Sequence, residues 1–368
     1  MRKKIVAQVF FCALTEYILI MKVRGEKRKV KRVIIRGAAV FAIVFSVLIT
    51  VLFGKSGIKE SDLPIKAGEY RGILTLWNVD TFEGGTGSRK QFLSRVSRGY
   101  EKKRAGVLVL ATDHTKESAE KSMREGVFPD LISFGTGMTA LNAKSLPISG
   151  YSAGGAAAGE VYAVPWARGG YCMIENPDYK RKKDKSTGEL YEEPTIVSQG
   201  EYTSPLVAMV VSGGTLIDYE IMSPMDAYVA FTSGKSRYLL GTQRDINRLI
   251  NRGMEFISRP ISVYNDIFQY ISITTNDQTK YEYAAEFVRY LISEEVQLRL
   301  DEIGLYSCYC QVKYADPDMK EMQNAKSEYC LSAFATEEEI YAIRGLGAKA
   351  VAGDKENLNK IKKLLVIP

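Results

Sequence analysis

Histidine is nearly absent from this chain, which has His114 alone among its 368 residues. Zinc sites built on two or three His ligands are therefore excluded, and any triad that needs a His must use this one. Residues 150–154 match the G-x-S-x-G pattern of a hydrolase nucleophile elbow, but that motif needs a strand before its Ser and a His after it. The preceding residues are a poor strand and the His lies upstream, which argues against a serine hydrolase.

Complete cofactor and metal motifs are missing as well. The five Cys include no C-x-x-C pair, which excludes zinc ribbons and thioredoxin-type motifs. Residues 234–236 resemble the end of a P-loop, but the earlier glycine is replaced by Val229. Residues 85–87 begin like a dinucleotide fingerprint, which then fails at Lys90. We therefore expect no cofactor and no metal.

Charge is distributed unevenly along the chain. The formal net charge is +7, but residues 1–60 contain 13 Lys/Arg and only 3 Asp/Glu. Residues 61–368 contain 37 Lys/Arg and 40 Asp/Glu, so this body is slightly acidic. The basic run at 180–185 has no interleaved aromatic residues and is typical of a solvated loop. The charge pattern gives no reason to expect a nucleic-acid partner.

The basic end contains a candidate membrane anchor. Residues 37–53 carry no charge, and the span extends to residues 33–53 if Arg36 reaches the headgroups. The basic residues before it predict that residues 1–32 stay in the cytoplasm, so the body after a stalk at 54–70 would lie outside the cell. No good signal-peptidase site or lipidated Cys follows the run. We interpret it as an uncleaved signal anchor; a cleaved signal and a start at Met21 are alternatives.

The body alternates between strand and helix patterns. Short apolar runs at 73–77, 107–110 and 131–134 predict strands. Between them, Ser88 with Gln91 indicates the start of one helix, and a second is expected from about 116 to 125. Further helices are expected at 225–231, 245–252, 281–291 and 293–303, and a strand at 236–240. A β-α-β-α-β order implies a parallel sheet that binds ligands at the carboxyl ends of its strands.

The two tryptophans lie next to polar residues in a way that suits a sugar. Asp80 and Glu83 follow Trp77, and Arg168 and Tyr171 follow Trp166. An aromatic face beside planar hydrogen-bonding groups matches the apolar and polar surfaces of a sugar ring. For each tryptophan a place in the core is the alternative, and paired carboxylates such as Asp80 and Glu83 also occur in glycoside hydrolases.

Several stretches of the body together resemble one family. They include LTLWNVD at 74–80 and GVFPDLISF at 126–134, followed by residues 162–171, 230–235, 239–245, 286–293 with Gln297, and 303–305. In this order, over about residues 72–315, they are similar to the family-1, carbohydrate-type extracellular solute-binding proteins of ABC importers.

The resemblance implies an α/β, two-lobed periplasmic-binding-protein-like fold of type II, with the ligand cleft between the lobes. Lobe 1 is expected at 71–147 plus 266–304, and lobe 2 at 148–265 plus 305–368. Hinge closure on the solute follows from the same resemblance. The positions carried over to ligand binding are Trp77, Asp80, Glu83, Thr136, Trp166, Arg168, Tyr171, Gln243, Arg244 and Asp266.

The chain departs from the family in two respects. The helix-rich insert that family members have after the segment at 171–176 is replaced by the charged residues 178–193. The usual lipid-anchored Cys is absent. Cys308 and Cys310 lie near an expected crossing between the lobes, where either could pair with Cys330, and free thiols are the equal alternative.

The main hypothesis is a non-enzymatic, monomeric protein on the extracellular face of a bacterial cell membrane. It would capture a small solute, most simply a sugar or oligosaccharide, and deliver it to the permease subunits of an ABC transporter. The alternatives are a secreted glycan-active hydrolase that uses paired carboxylates, and a ligand-sensing ectodomain for a membrane signalling partner.

Overall fold

The computed structural model describes residues 70–138, 141–148, 151–183, 190–191 and 193–367. Within this part of the chain, no helix is both long enough and apolar enough to cross a membrane. The predicted anchor at 33–53 and the segments on either side of it, residues 1–69, lie outside the described residues. The described residues all fall within one compact unit.

Among the described residues, the first half of the body contains ten strands and two helices. In chain order they are β1 (Gly72–Val79), α1 (Arg89–Lys103), β2 (Val107–His114), α2 (Lys116–Arg124), β3 (Leu131–Phe134), β4 (Ala156–Ala157), β5 (Glu160–Val161), β6 (Val164–Arg168), β7 (Tyr171–Glu175), β8 (Lys182–Lys183), β9 (Leu190–Tyr191) and β10 (Thr195–Ser198).

The second half is richer in helices. Its elements are α3 (Pro205–Val211), β11 (Tyr219–Met222), α4 (Pro224–Thr232), β12 (Tyr238–Thr242), α5 (Gln243–Arg252), β13 (Ile257–Ile261), β14 (Val263–Tyr264), β15 (Phe268–Ile273), α6 (Gln278–Leu291), α7 (Glu294–Gln297), a 3₁₀ turn (Leu300–Ile303), α8 (Pro317–Asn324), β16 (Ser327–Tyr329), α9 (Glu337–Ala350) and α10 (Lys355–Leu364).

Lobe 1 is built on a five-stranded sheet with the order β2-β1-β3-β15-β6. Strands β1, β2 and β3 are parallel, and β15 runs antiparallel to both of its neighbours, β3 and β6. On one face, Leu74 and Leu76 pack with Phe92 of α1 and Phe287 of α6. The opposite face packs against α2, so that helices cover both sides of the sheet, as expected for a parallel sheet.

Lobe 2 repeats this plan with the strand order β11-β10-β12-β7-β13. Strands β10, β11 and β12 are parallel, whereas β7 is antiparallel to β12 and β13. Phe231 of α4 and Ile246 of α5 pack with Ile196 and Leu239 on one face. The fully buried helix α3 lies on the other face, with α9 packed against it.

Local signals in the sequence explain where the helices begin and end. The hydroxyl of Ser88 accepts from the backbone N–H of Gln91 at 3.2 Å, which caps α1 at the predicted position. Helix α5 begins with a capping box formed by Thr242 and Asp245. It ends at Gly253, whose φ of +68° is a left-handed conformation that glycine adopts without strain.

Two sequence-based expectations need correction. The expected helix at 293–303 is two short pieces, α7 and the 3₁₀ turn Leu300–Ile303. The expected start of lobe 2 at residue 148 is too early, because β6 pairs with β15 in the lobe 1 sheet. The chain therefore first passes between the lobes at Gly169 and Gly170, and the glycine-rich stretch before β6 includes the small β4–β5 hairpin instead.

Three passages of the chain between the two sheets lie side by side and are hydrogen-bonded to one another. The first follows β6, the second leads from β13 to β15, and the third follows the 3₁₀ turn. Arg168 and Tyr306 exchange backbone hydrogen bonds of 2.9 and 2.8 Å, which joins the first and third passages. The N–H of Gly169 donates to the carbonyl of Ile267 at 2.8 Å, which joins the first and second. We refer to these three passages together as the hinge.

Candidate binding cleft between the lobes

The loops at the carboxyl ends of the parallel strands in the two sheets contact each other. The carboxylate of Glu83, after β1, lies 3.0 Å from Nε of Arg244 at the start of α5. The hydroxyl of Thr136, after β3, lies 3.5 Å from the carbonyl oxygen of Tyr202, after β10. The carboxyl edges of both sheets therefore face one another, and this is the position where open α/β sheets bind ligands.

The lobe 1 wall of this cleft carries a network of polar side chains that begins at Asn78. The amide nitrogen of Asn78 donates to Asp80 at 3.0 Å and to Asp113 at 2.9 Å. The amide oxygen of Asn78 accepts from the hydroxyl of Ser133 at 3.2 Å. Strands β1, β2 and β3 are thus connected through side chains at their carboxyl ends, where Asp80 and Asp113 keep part of their surface exposed.

Arg89 extends this network toward the centre of the sheet. Its Nε lies 2.8 Å from Asp80, and its Nη1 donates to the amide oxygen of Gln269 at 2.9 Å. The amide nitrogen of Gln269 donates in turn to Ser133 at 2.9 Å. Burial lowers the pKa of Arg89, and the nearby carboxylate of Asp80 opposes that shift. Because arginine starts from a very high pKa, Arg89 remains a buried, paired cation.

The lobe 2 wall is organised around Gln243, which is fully buried. The N–H of Gly170 in the hinge donates to its amide oxygen at 2.9 Å, and its backbone N–H donates to the carbonyl of Gly170. Its amide nitrogen finds no hydrogen-bond partner among the described residues, and neither does the hydroxyl of Thr81 in lobe 1. Unpartnered buried polar atoms are rare, and in a cleft they indicate groups that a ligand or water satisfies.

Asp245 supports this wall from behind. Its carboxylate accepts from the backbone N–H of Thr242 at 2.9 Å and lies 3.7 Å from Arg248. Burial raises the pKa of Asp245 to about 6.

The two tryptophans occupy different environments. The Trp77 ring stacks on His114 with ring centres 4.3 Å apart and remains partly exposed. Trp166 is fully buried in lobe 1, where it stacks on Phe92 and donates from Nε1 to Ser133 at 3.1 Å. Trp166 is therefore part of the core and presents no open face to a ligand, contrary to the sequence-based expectation.

Three other expected ligand-binding residues lie in the hinge instead. The guanidinium of Arg168 donates to the backbone carbonyls of Gln323 and Ser307 at 2.5 and 3.4 Å. The hydroxyl of Tyr171 donates to Asp266 at 2.5 Å, and Tyr264 donates to the same carboxylate at 2.9 Å. Asp266 is buried, and burial raises its pKa. These residues connect the passages between the lobes, so their polar atoms already have protein partners.

The structure brings five of the expected residues together at the facing edges: Asp80, Glu83, Thr136, Gln243 and Arg244. Sequence reasoning missed Arg89, Asp113 and Gln269. Asp113 could have been found, because it lies near the end of a predicted parallel strand. Arg89 and Gln269 carried no signal, since their roles depend on a contact between a helix and a strand far apart in the chain.

No ligand set for a metal and no disulfide occurs in the described part of the chain. It contains no group of three His, Cys, Asp or Glu that could hold a metal ion. Cys172, Cys308, Cys310 and Cys330 are free thiols, so the open question of pairing is answered for these four residues.

Comparison with known proteins identifies the fold. No protein-family model matches the chain, and no curated protein matches its sequence. The sugar-binding protein MalE of Xanthomonas citri superposes with a TM-score of 0.55 at 13% identity, covering 80% of this chain and 95% of that one. The cyclic α-maltosyl-1,6-maltose-binding protein of Arthrobacter globiformis gives 0.53 at 12% identity, with 80% and 98% covered.

A cyclo/maltodextrin-binding protein in complex with maltotetraose gives a TM-score of 0.52 at 12% identity, covering 81% of this chain and 97% of that one. Identities this low establish the fold alone. The chain therefore has the two-lobed α/β fold of the periplasmic binding proteins, as its sequence predicted.

Proposed function

We propose that the chain is a solute-binding protein that captures a sugar or oligosaccharide by closing its two lobes and delivers it to an ABC transporter permease. The observation that carries this proposal is the pair of facing carboxyl edges, joined by a three-passage hinge and containing buried polar atoms without partners. A rigid wall, a second wall that moves, and a few polar groups between them are what such capture requires.

The chemistry of the cleft supports a polyhydroxylated ligand. Asp80 and Asp113 offer exposed acceptor oxygens, and the Gln243 amide nitrogen is a donor with no protein partner. The partly exposed Trp77–His114 stack offers apolar ring surface near the same edge of the sheet, on the face that α2 covers. The similar structures are named as sugar-binding and maltodextrin-binding proteins, which points to the same ligand class.

The contacts of the paired carboxylates argue against the hydrolase alternative. A general acid needs a carboxyl group whose apolar surroundings keep it protonated. Asp80 instead lies 2.8 Å from Arg89, and Glu83 lies 3.0 Å from Arg244. Each carboxylate therefore lies beside a guanidinium group, which is not the apolar environment of a general acid.

The proposed location rests on the N-terminal sequence. The apolar residues 33–53 would hold the protein in a bacterial cell membrane, and the basic residues before them would keep residues 1–32 in the cytoplasm. The two lobes would then work as a monomer on the extracellular face, attached through the stalk at 54–70.

A thermal-shift screen of the full chain tests the proposal. Neutral oligosaccharides, monosaccharides, amino acids, peptides and polyamines are added one at a time, and the solution is then analysed for products. We expect oligosaccharides or sugars to raise the melting temperature without being consumed, since a ligand that binds only the folded state stabilises it. Stabilisation only by amino acids or polyamines, or conversion of a sugar to product, would contradict the proposal.

Matched variants localise the site. Gln243→Leu removes the unpartnered donor of lobe 2 and is expected to abolish most of the stabilisation by the sugar. Glu220→Gln alters a surface ion pair within lobe 2, between Glu220 and Lys235, and serves as the control that keeps full stabilisation. If Gln243→Leu also keeps it, the cleft is not the binding site.

A further inference from the structure

One carboxylate of lobe 1 contacts two guanidinium groups of lobe 2. Glu83 lies 3.0 Å from Nε of Arg244 and 3.4 Å from Nη2 of Arg248. We propose that Glu83, Arg244 and Arg248 form an ionic latch that sets how far the lobes close before any solute binds. This inference rests on the proposed function, because closure matters only to a protein that captures a solute in its cleft.

The latch lies at the rim of the cleft and not at the enclosed position of a ligand. The side chains of Glu83 and Arg244 are 37% and 30% exposed, whereas Gln243, the neighbour of Arg244, is fully buried. Gln243 and Thr81 are therefore more enclosed than the ion pair, although Asp80, at 44%, is as exposed as the latch. None of the three latch residues is among the groups proposed to contact the sugar, so the latch favours closure without competing for the site.

Both sides of the latch are held by the hinge. On the lobe 1 side, the N–H of Thr86 donates to the carbonyl of Ile303 at 3.0 Å. A Cβ on Gly85 would lie 2.0 Å from that carbonyl oxygen, so only glycine allows the loop to approach so closely. The loop that carries Glu83 is therefore seated on the end of the 3₁₀ turn, where the third passage of the hinge begins.

On the lobe 2 side, α5 carries both arginines and begins at Gln243, which is bonded to Gly170 of the first passage. The Arg248 guanidinium also lies over the Tyr228 ring, 5.2 Å from its centre, and this contact restricts where it can go. Two anchored partners lose little side-chain freedom when they meet, which makes this ion pair more effective than an average surface pair.

The expected consequence is a salt-dependent equilibrium between open and closed lobes. An ion pair of this exposure changes such an equilibrium by about threefold to tenfold. Salt screens partly exposed charges, so raising the NaCl concentration from about 0.05 M to about 1 M should open the ligand-free protein. An affinity for a neutral sugar would then also depend on salt, even though the sugar has no charge.

Distances between spin labels in the ligand-free full chain test the latch. Labels are introduced as genetically encoded amino acids at Lys121 of lobe 1 and Lys349 of lobe 2, which are both exposed. We expect Glu83→Gln to lower the ratio of closed to open molecules by about threefold to tenfold at low salt. Glu83→Gln should also reduce the response to salt, because it removes one of the charges that salt screens. A second ion pair between the lobes, Lys116 with Glu337 at 3.4 Å, remains in this variant.

The control is again Glu220→Gln, which breaks a 2.7 Å ion pair within lobe 2 and should leave both the distances and their salt response unchanged. Circular dichroism confirms that the variants are folded. Unchanged distances in Glu83→Gln, or a shift toward the closed state, would overturn the latch. The measurement needs no solute, so a failed sugar screen and a failed latch are separate results.

Discussion

The two walls of the cleft satisfy their polar groups in different ways. In lobe 1, the side chains Asn78, Asp80, Arg89 and Gln269 bond to one another or to nearby strands. In lobe 2, Gln243 bonds to the hinge and Arg244 reaches across to lobe 1. Except for the Thr81 hydroxyl, the polar side chains of the lobe 1 wall therefore form a preformed structural template, whereas the partners of Gln243 and Arg244 in lobe 2 depend on the hinge position and on the ligand. The comparison indicates that the lobe 1 wall is rigid and that the lobe 2 wall changes its contacts when the lobes move or a ligand binds.

The largest expected effect is on the stability of the lobe 1 wall. Trp166→Ala should lower the free energy of unfolding by about 3–5 kcal/mol, because it leaves a cavity beside Phe92 and removes a donor to Ser133. Trp77→Ala is the matched control, and its partly exposed ring should give a clearly smaller loss. Urea denaturation of the full chain measures both. Equal losses would mean that the two rings are equally important to the lobe 1 core.

The pH dependence of stability tests the environment of Asp245, which supports the lobe 2 wall. Burial raises the pKa of Asp245 from 3.8 to about 6, so the folded protein keeps a proton between these pH values that the unfolded chain releases. This group therefore lowers stability as pH rises from 4 to 6, by up to about 3 kcal/mol, and has a constant effect above pH 6. The loss is then fully present at neutral pH.

Asp245→Asn isolates this contribution, because the amide oxygen can still accept from Thr242 but the side chain cannot ionise. The measurement is the difference in unfolding free energy between the variant and the parent at several pH values. We expect that difference to grow in favour of the variant from pH 4 to 6. A flat difference would show that Asp245 ionises normally.

Removing the buried guanidinium group of Arg89 from the lobe 1 wall should have an intermediate effect on stability. Arg89→Met removes the cation beside Asp80 and leaves the amide oxygen of Gln269 without its donor. The Asp80 side chain is 44% exposed and water can reach it, so we expect a loss of about 2 kcal/mol, less than for a fully buried ion pair. Arg98→Met, on the exposed face of the same helix, is the control for urea denaturation. Similar curves for both variants would contradict a rigid lobe 1 wall.

The smallest expected change in stability accompanies the largest change in binding. Gln243→Leu removes the acceptor for the Gly170 N–H, which should lower the free energy of unfolding by about 1 kcal/mol. The same variant should lose most of its stabilisation by sugar. If it instead unfolds as easily as Trp166→Ala, Gln243 contributes as much to stability as the core of lobe 1 does, and the lobe 2 wall is as rigid as the lobe 1 wall.

Several elements were predicted correctly because their signals lie in residues that are neighbours in the sequence. The strand at 131–134 has the bounds of β3, and the Ser88 cap and Gly126 set the limits of α1 and α2. Trp166 shows where this reasoning stops, because its burial depends on Phe92 of a distant helix. Asp266 likewise looks like a ligand-binding acid in sequence, and only the meeting of two hinge passages gives it Tyr171 and Tyr264 as partners.

The predicted boundary between the lobes was wrong for a related reason. A run of glycine and alanine favours a linker, and the stretch before β6 has that composition. The position of β6 is decided by its pairing with β15, which lies about a hundred residues later in the chain. No local pattern reports such a pairing.

The position of β15 between β3 and β6 also affects how the protein folds during its synthesis. As the chain leaves the ribosome, the first lobe cannot complete its sheet until residue 273 has emerged, after most of the second lobe's strands. A chain cut after β13 would therefore lack an inner strand of the lobe 1 sheet as well as the last helices of lobe 2. Until then, β3 has one unpaired edge and β6 has no neighbour in the sheet.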